Sequence, residues 1–393
     1  MPVIVIAQFA CTSLWFAGNA VLPDLLPYLL PDARLGSASL SEMVSAVQLG
    51  FIVGTLVFGL LRLADRVAPA RLFLLCALAG SLTNAGLLLP GPTPAVVLAL
   101  RFATGLCLAG IYPVGMKIAA DYYENGLGRA LGYLVGALVL GTALPHLLRL
   151  LAADVDWKAV VLATSGLALA GGVLLWALVP NGPFWRPGAR LQLGTAWGVF
   201  RERPFRLAAV GYFGHMWELY TFWAFVPMLL VTHVQLHPES GPFGPGWAFG
   251  LIAAGAPACV AGGYLAQRLG SMRTARAALA VSGACCLLSP LLLALPRPAF
   301  AVAVVVWGMA VVADSPQFSA LVAQRAPATA TGTALTLVTC LGFALTIVSL
   351  QSFTALQGHV NARYLFLLLA PGPVLALLAT RPAGTKKAGD SRR

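Results

Sequence analysis

The tetrapeptide Leu63-Ala64-Asp65-Arg66 returns as Leu265-Ala266-Gln267-Arg268, and the spacing between the two copies decides the fold. Tyr112-Pro113 has its counterpart in Ser315-Pro316, and Gly128-Arg129-Ala130-Leu131 in Gly332-Thr333-Ala334-Leu335, all at an offset of about 202–204 residues. Between these landmarks the chain is almost continuously apolar: 59% of its 393 residues are hydrophobic and only 10% are charged. A soluble domain needs far more charge to cover its surface, so lipid is the expected solvent. At about 20 residues per crossing, a dozen helices use up the chain. Three landmarks at one offset therefore describe a duplicated helical bundle, whose seam is the natural place for a cargo.

The expected fold is an all-α membrane protein with twelve transmembrane helices in two pseudo-symmetric six-helix bundles. The spans read as residues 3–28, 43–63, 72–90, 95–119, 129–151, 157–179, 206–231, 247–267, 275–295, 298–323, 330–355 and 361–380. Residues 1–180 form the first bundle, 181–205 a linker rich in Pro, Gly and basic residues, 206–380 the second bundle and 381–393 a basic tail. Part of the linker, around residues 192–200, could form a short interfacial amphipathic helix. Residues 1–10 lack a basic n-region, and the apolar stretch runs past Leu22 with no small-residue cleavage site, so the first span is expected to stay in the membrane.

The charge of +12 follows the topology. With the first residues placed in the cytoplasm, Lys and Arg divide 19 to the inner side and 5 to the outer side, with Arg101 inside a span. That is the positive-inside pattern of an even number of helices with both termini cytoplasmic, expected in the cytoplasmic (inner) membrane. A nucleic-acid patch would have no reason to alternate with every second loop.

The seven cysteines fall within spans and lack ligand spacing, as small core residues do. His233 and His237 have helical ligand spacing, but Pro238 and the glycines that follow argue against a helix and a metal site. No H-E-x-x-H, Cys/His ligand set or nucleotide loop is present, so neither an enzyme nor a cofactor is expected.

The loop motifs resemble those of the major facilitator superfamily. Its signature after helix 2, Gly-x-Leu-Ala-Asp-Arg-x-Gly-Arg-Arg, is matched by Leu63-Ala64-Asp65-Arg66, with Leu61 and Ala68 in place of the glycines and Arg71 nearby. The second copy, Gly263-Tyr264-Leu265-Ala266-Gln267-Arg268-Leu269-Gly270, keeps the glycines and replaces the acid by Gln267. Arg101-Phe102-Ala103-Thr104-Gly105 matches the Arg-x-x-x-Gly signature of helix 4, and Trp157 before helix 6 is also typical. The Gly-Pro pattern of drug–proton antiporters in helix 5 is not met: Gly132, Gly136, Gly141 and Pro145 stand apart. The resemblance implies alternating access by a monomer, with helices 1, 4, 7 and 10 lining a central cavity. Asp65 would sit near the start of helix 11, where a carboxylate against a helix N-terminus gains roughly 0.3–1 kcal/mol. Arg66, Arg71 and Arg129 could share that latch between the halves, or Asp65 could simply be a solvated loop acid.

Each of those four helices carries an ionisable residue inside the membrane: Asp24, Arg101, Glu218 and Asp314. At mid-bilayer such a group costs about 2.5–3.5 kcal/mol on insertion scales, so it needs a reason. Glu218 lies near the midplane, and His215, three positions earlier, shares its helix face. That pair is the expected site of proton coupling; the alternative is a structural Glu–His hydrogen bond. Trp217 and Tyr220 flank it and offer aromatic surface to a substrate. Arg101 could bind an anionic group, pair with Asp24, or snorkel to the interface. Asp314, Ser315 and Gln317 form a polar cluster beside Pro316, and Asn19, Gln48 and Tyr112 are further polar positions expected on the cavity. These residues describe a proton-coupled secondary transporter of a small organic molecule. Export of an amphipath is favoured over import of an organic anion, and a non-transporting sensor of the same fold is the third reading.

Overall fold

In the computed structural model, residues 1–29, 37–122, 127–151, 156–184, 197–244, 246–327 and 331–381 are described. Among them, eleven helical segments are long and apolar enough to cross a membrane, and Pro2–Thr12 is a shorter apolar helix. Large apolar side chains such as Leu82, Leu162 and Val302 lie on the outside, where a bilayer would cover them.

The helices are α1 (Pro2–Thr12, resumed as Ala17–Ala20 and Leu22–Leu29), α2 (Ser37–Leu61) and α3 (Pro69–Ala85). Next come α4 (Pro94–Leu108 and Tyr112–Tyr122), α5 (Leu127–Leu151) and α6 (Lys158–Leu178). The second half repeats them as α7 (Arg203–Leu236), α8 (Gly246–Ala253 and Gly255–Leu269), α9 (Ser271–Leu292) and α10 (Arg297–Ala313 and Ser315–Arg325). It ends with α11 (Thr331–Leu356) and α12 (Ala362–Leu365 through Pro371–Ala379). Proline opens many of these segments, because the missing N–H is not needed in a first turn and φ is already helical. Pro113 and Pro316 are the second residues of the resumed parts of α4 and α10, so the repeated X-Pro landmark marks a helix break in both halves. Pro145 and Pro227, by contrast, lie inside continuous helices. Of the expected linker helix only the short 3-10 segment Trp197–Arg201 falls among described residues, and the tail beyond Arg381 lies outside them.

Packing follows the duplication. In the first half α2 packs on α4, α3 on α6 and α1 on α5; in the second, α8 packs on α10, α9 on α12 and α7 on α11. The halves meet along two seams, α5 against α8 and α2 against α11. Gly132 and Gly136 bring α5 onto the Cys259 and Ala256 carbonyls of α8, as expected for packing glycines in lipid.

The closest approach is between α2 and α4. A Cβ at Gly105 would collide with the Val47 carbonyl, and one at Gly50 with the Phe102 carbonyl. Backbone cannot rotate aside, so the glycine of the Arg-x-x-x-Gly motif is a packing requirement. Gly105→Ala is expected to cost about 1–3 kcal/mol by overpacking. Gly166, with nothing within 4 Å, is the control. Gly166→Ala should be neutral or stabilising by up to about 1 kcal/mol through helix propensity. Thermal unfolding of the two variants in one detergent checks the contrast.

Candidate functional site

The first element of the site is a break in α1. Thr12 Oγ1 donates to the Gln8 carbonyl at 2.8 Å and Ser13 Oγ to the Ala10 carbonyl at 2.7 Å. Such back-bonding bends helices, and here Ser13–Phe16 leave the helical path before Ala17. Arg101, fully buried on α4, satisfies the freed backbone. Its Nη2 donates to the carbonyls of Leu14 (3.1 Å) and Trp15 (2.6 Å), and its Nη1 to Asn84 Oδ1 (3.3 Å). Asn84 Nδ2 continues the chain to Thr164 Oγ1 (3.1 Å) and Ser165 Oγ (3.0 Å), so one polar thread ties α1, α4, α3 and α6.

Of the roles expected of it, Arg101 takes neither the pairing with Asp24 nor a place at the interface. It meets two backbone carbonyls and Asn84, and its Nε has no hydrogen-bond partner. Asp24 pairs instead with Arg149 of α5, at 2.7 Å, near the end of the bundle opposite the basic loops. Both partners are partly exposed, so the pair contributes little to stability.

On α7 the expected pair is divided. His215 Nδ1 lies 2.8 Å from Asp314 Oδ1, off the line of a good hydrogen bond, and both side chains are buried. It is an ion pair whenever the imidazole holds a proton. Asp314 is the residue between the two parts of α10, so the contact ties α7 to the α10 joint. Glu218 faces elsewhere: it accepts from Trp307 Nε1 (2.8 Å), Ser282 Oγ (3.0 Å) and Cys286 Sγ (3.2 Å). Those donors come from α9 and α10, which places Glu218 inside the core of the second half and not beside His215. Trp217 likewise turns away, donating from Nε1 to the Leu368 carbonyl of α12 at 2.9 Å. Ser315 and Gln317 are buried in the first turn after the joint, and Gln317 Nε2 has no hydrogen-bond partner.

At mid-depth the halves close on aromatic rings where a polar cleft was expected. Trp15 stacks on Tyr220 (5.5 Å between centroids) and on Phe343 (5.6 Å), and tilts against Phe51 (5.2 Å). Phe51 and Phe343 meet at 4.6 Å, and Tyr220 meets Trp223 edge-on at 5.4 Å. The first half supplies Trp15 and Phe51; the second supplies Tyr220, Trp223 and Phe343. Asn19, one turn beyond Trp15, and Gln48, one turn before Phe51, are both buried. Tyr112 is half-buried at the restart of α4. Towards the end opposite the basic loops, Gln351 Nε2 bonds Ser45 Oγ across the α2–α11 seam at 3.0 Å.

At the basic face a groove of about 380 Å³ opens between α1, α5 and α8, lined by Val5, Arg129, Tyr133 and Tyr264 among others. Tyr133 and Tyr264 hydroxyls are 3.1 Å apart across the α5–α8 seam, and the Arg129 guanidinium lies 6.0 Å from the Tyr264 ring centre. Arg129 thus reaches the other half. Arg66 and Arg71 are exposed, while the Asp65 side chain and residues 328–330 lie outside the described residues. His233 and His237 each turn Nε2 to a backbone carbonyl, of Leu295 (3.0 Å) and Leu293 (3.1 Å).

A bundle of two matched halves, closed at mid-depth and carrying a buried histidine–aspartate contact at a helix joint, has the construction of a membrane transporter. The chain belongs to the Major Facilitator Superfamily, whose sequence profile matches residues 4–350. That makes it a transporter and not an enzyme. No curated protein matches the sequence. Among solved structures the chain is similar to the human organic anion transporter MFSD10 (TETRAN), with a TM-score of 0.76 and 14% identity over 97% of this chain and 98% of that one. The proton:xylose symporter XylE gives 0.73 and 13% over 96% and 93%. The nucleoside transporter NupG gives 0.68 and 14% over 96% and 98%. At these identities the likeness shows the fold.

Proposed function

We propose that the protein is a proton-coupled secondary transporter of a small organic molecule, with its basic face in the cytoplasm and export as the favoured direction. The buried contact between His215 and Asp314 carries this reading. One imidazole cannot balance both Asp314 and Glu218, so a proton held by this region belongs to its neutral state. Neutralising Asp314 removes the attraction that ties the α10 joint to α7. The part of α10 beyond the joint, Ser315–Arg325, packs on α5 of the other half. Its release would therefore loosen the contact between halves on the basic side, which is the opening step of alternating access. Glu218 acts through the same helix, holding α7 against α9 and α10.

For the anion-import alternative, the Arg101 guanidinium already holds the Leu14 and Trp15 carbonyls through Nη2 and keeps Nε unpartnered for an anion. The driving force suffices: each charge crossing supplies about 2.3 kcal/mol per 100 mV before any pH term.

Proteoliposomes given a radiolabelled nucleoside, sugar or aromatic acid test the reading. The wild-type protein should accumulate at least one solute several-fold under an imposed pH gradient. Asp314→Asn should equilibrate that solute without concentrating it. Equal accumulation with and without the gradient removes proton coupling from the account.

A further inference from the structure

The closure between the halves buries more unpaired polar atoms than a plug requires. Trp15 Nε1, Trp223 Nε1 and both amide atoms of Asn19 and of Gln48 are buried and have no hydrogen-bond partner. Unpaired buried polar groups are costly, and stability alone would be better served by Leu or Met at the amide positions. All four side chains lie in, or one helical turn from, the aromatic stack. Orphaned donors and acceptors beside flat rings amount to a recognition surface with nothing yet to recognise.

The rings suggest the shape of the partner. Trp15 of one half lies against Tyr220 and Phe343 of the other with interplanar angles of 25° and 28°. When the halves separate, those faces must part, and each loses the flat surface it now covers. A planar solute would replace that surface on both sides, which a puckered ring does less well. The amides offer donors and acceptors together, and the indoles add donors.

Among the described residues, the carboxylates and the imidazole nearest this stack along the helices are engaged away from it: Asp24 with Arg149, His215 with Asp314, and Glu218 with Trp307, Ser282 and Cys286. Arg101 stands at its edge, with Nη2 on the Trp15 carbonyl and Nε unpartnered.

We infer that the seam around Trp15, Asn19, Gln48, Tyr220 and Trp223 binds a planar heterocycle bearing both donors and acceptors on its edge, of nucleobase or nucleoside type. This rests on the transporter reading and names the substrate class of that site.

Binding without any gradient separates the two claims. Uridine, glucose and benzoate are added to the purified full-length protein, and thermal unfolding is followed. Uridine at about 100 times its Kd should raise Tm by a few degrees, with glucose and benzoate well behind. Asn19→Leu and Gln48→Leu should each raise the Tm of the ligand-free protein, because an orphaned amide is removed. Each should also weaken uridine binding by about tenfold or more.

Larger shifts with benzoate or glucose, no shift with any of the three, or Leu variants that lower Tm and keep uridine affinity would each overturn the assignment. If another solute accumulates under a pH gradient while uridine does not bind, the substrate class falls and the transporter reading stands. Uridine binding without gradient-driven uptake keeps the substrate class and removes the coupling.

Discussion

Arg101→Met is expected to lower stability by about 3 kcal/mol, although Met fills much of the same volume. The guanidinium is the partner of two carbonyls at the α1 break and of Asn84 Oδ1. Removing it leaves three buried acceptors unpaired, at roughly 1–3 kcal/mol each, while relief of the Arg desolvation offsets part of the loss. Arg101→Lys should recover only part, because a single ammonium cannot reproduce the fork whose Nη2 meets the Leu14 and Trp15 carbonyls and whose Nη1 meets Asn84. Thermal unfolding measures the loss. A second readout is local: hydrogen exchange at the α1 break should speed up, because the Leu14 and Trp15 carbonyls lose the group that holds them. Wild-type stability in Arg101→Met would mean that the break in α1 holds its shape without the guanidinium.

The second large effect is an asymmetry at the α10 joint. His215→Leu alone should cost about 3–5 kcal/mol, because Asp314 is left buried without its partner. Replacing both, as His215→Leu with Asp314→Val, should bring stability back to within about 1 kcal/mol of wild type or above it, since neither member of the pair is left without the other. The doubly substituted protein should nevertheless fail to concentrate solute under a pH gradient. Chemical or thermal unfolding reports the first comparison and proteoliposome uptake the second. A double variant as unstable as the single one would show that the pair is not what the region depends on. A double variant that still couples would move the proton site elsewhere.

The architecture was legible because its signals are long-range in number but local in kind. Apolar length identifies each span, and the offset between Tyr112-Pro113 and Ser315-Pro316 marks not only the duplication but the joint in both copies of the fourth helix. Side-chain partners were not legible in the same way. His215 and Glu218 are three residues apart and share a face on an ideal helix, yet α10 takes one and α9 with Trp307 takes the other. That division depends on how helices from sequence-distant segments are rotated against α7, which periodicity does not encode. Arg101 was visible as a buried cation, but its target is backbone. The break that exposes those carbonyls contains no proline; Thr12-Ser13, with their hydroxyls turned back to Gln8 and Ala10, was the available clue. The aromatic closure was half-visible: Tyr220 was singled out, whereas nothing in the sequence around Trp15, Phe51 and Phe343 sets them apart from core residues. Nothing short of the packing of four helices distinguishes a gate from a core.

Among the helices on which the ionisable residues lie, α1, α4 and α10 are jointed, and α7 runs unbroken for 34 residues past Pro227. At about 1.5 Å per residue that is a rod of roughly 50 Å. It carries His215 on one turn and Tyr220 and Trp223 on the next two, so the group that senses Asp314 and the rings that close the seam share one stiff axle. Under the proposed coupling, a proton arriving at one and a passage opening at the other are two readings of a single displacement. Slack introduced between residues 215 and 220 would let the passage leak while the proton site stayed engaged.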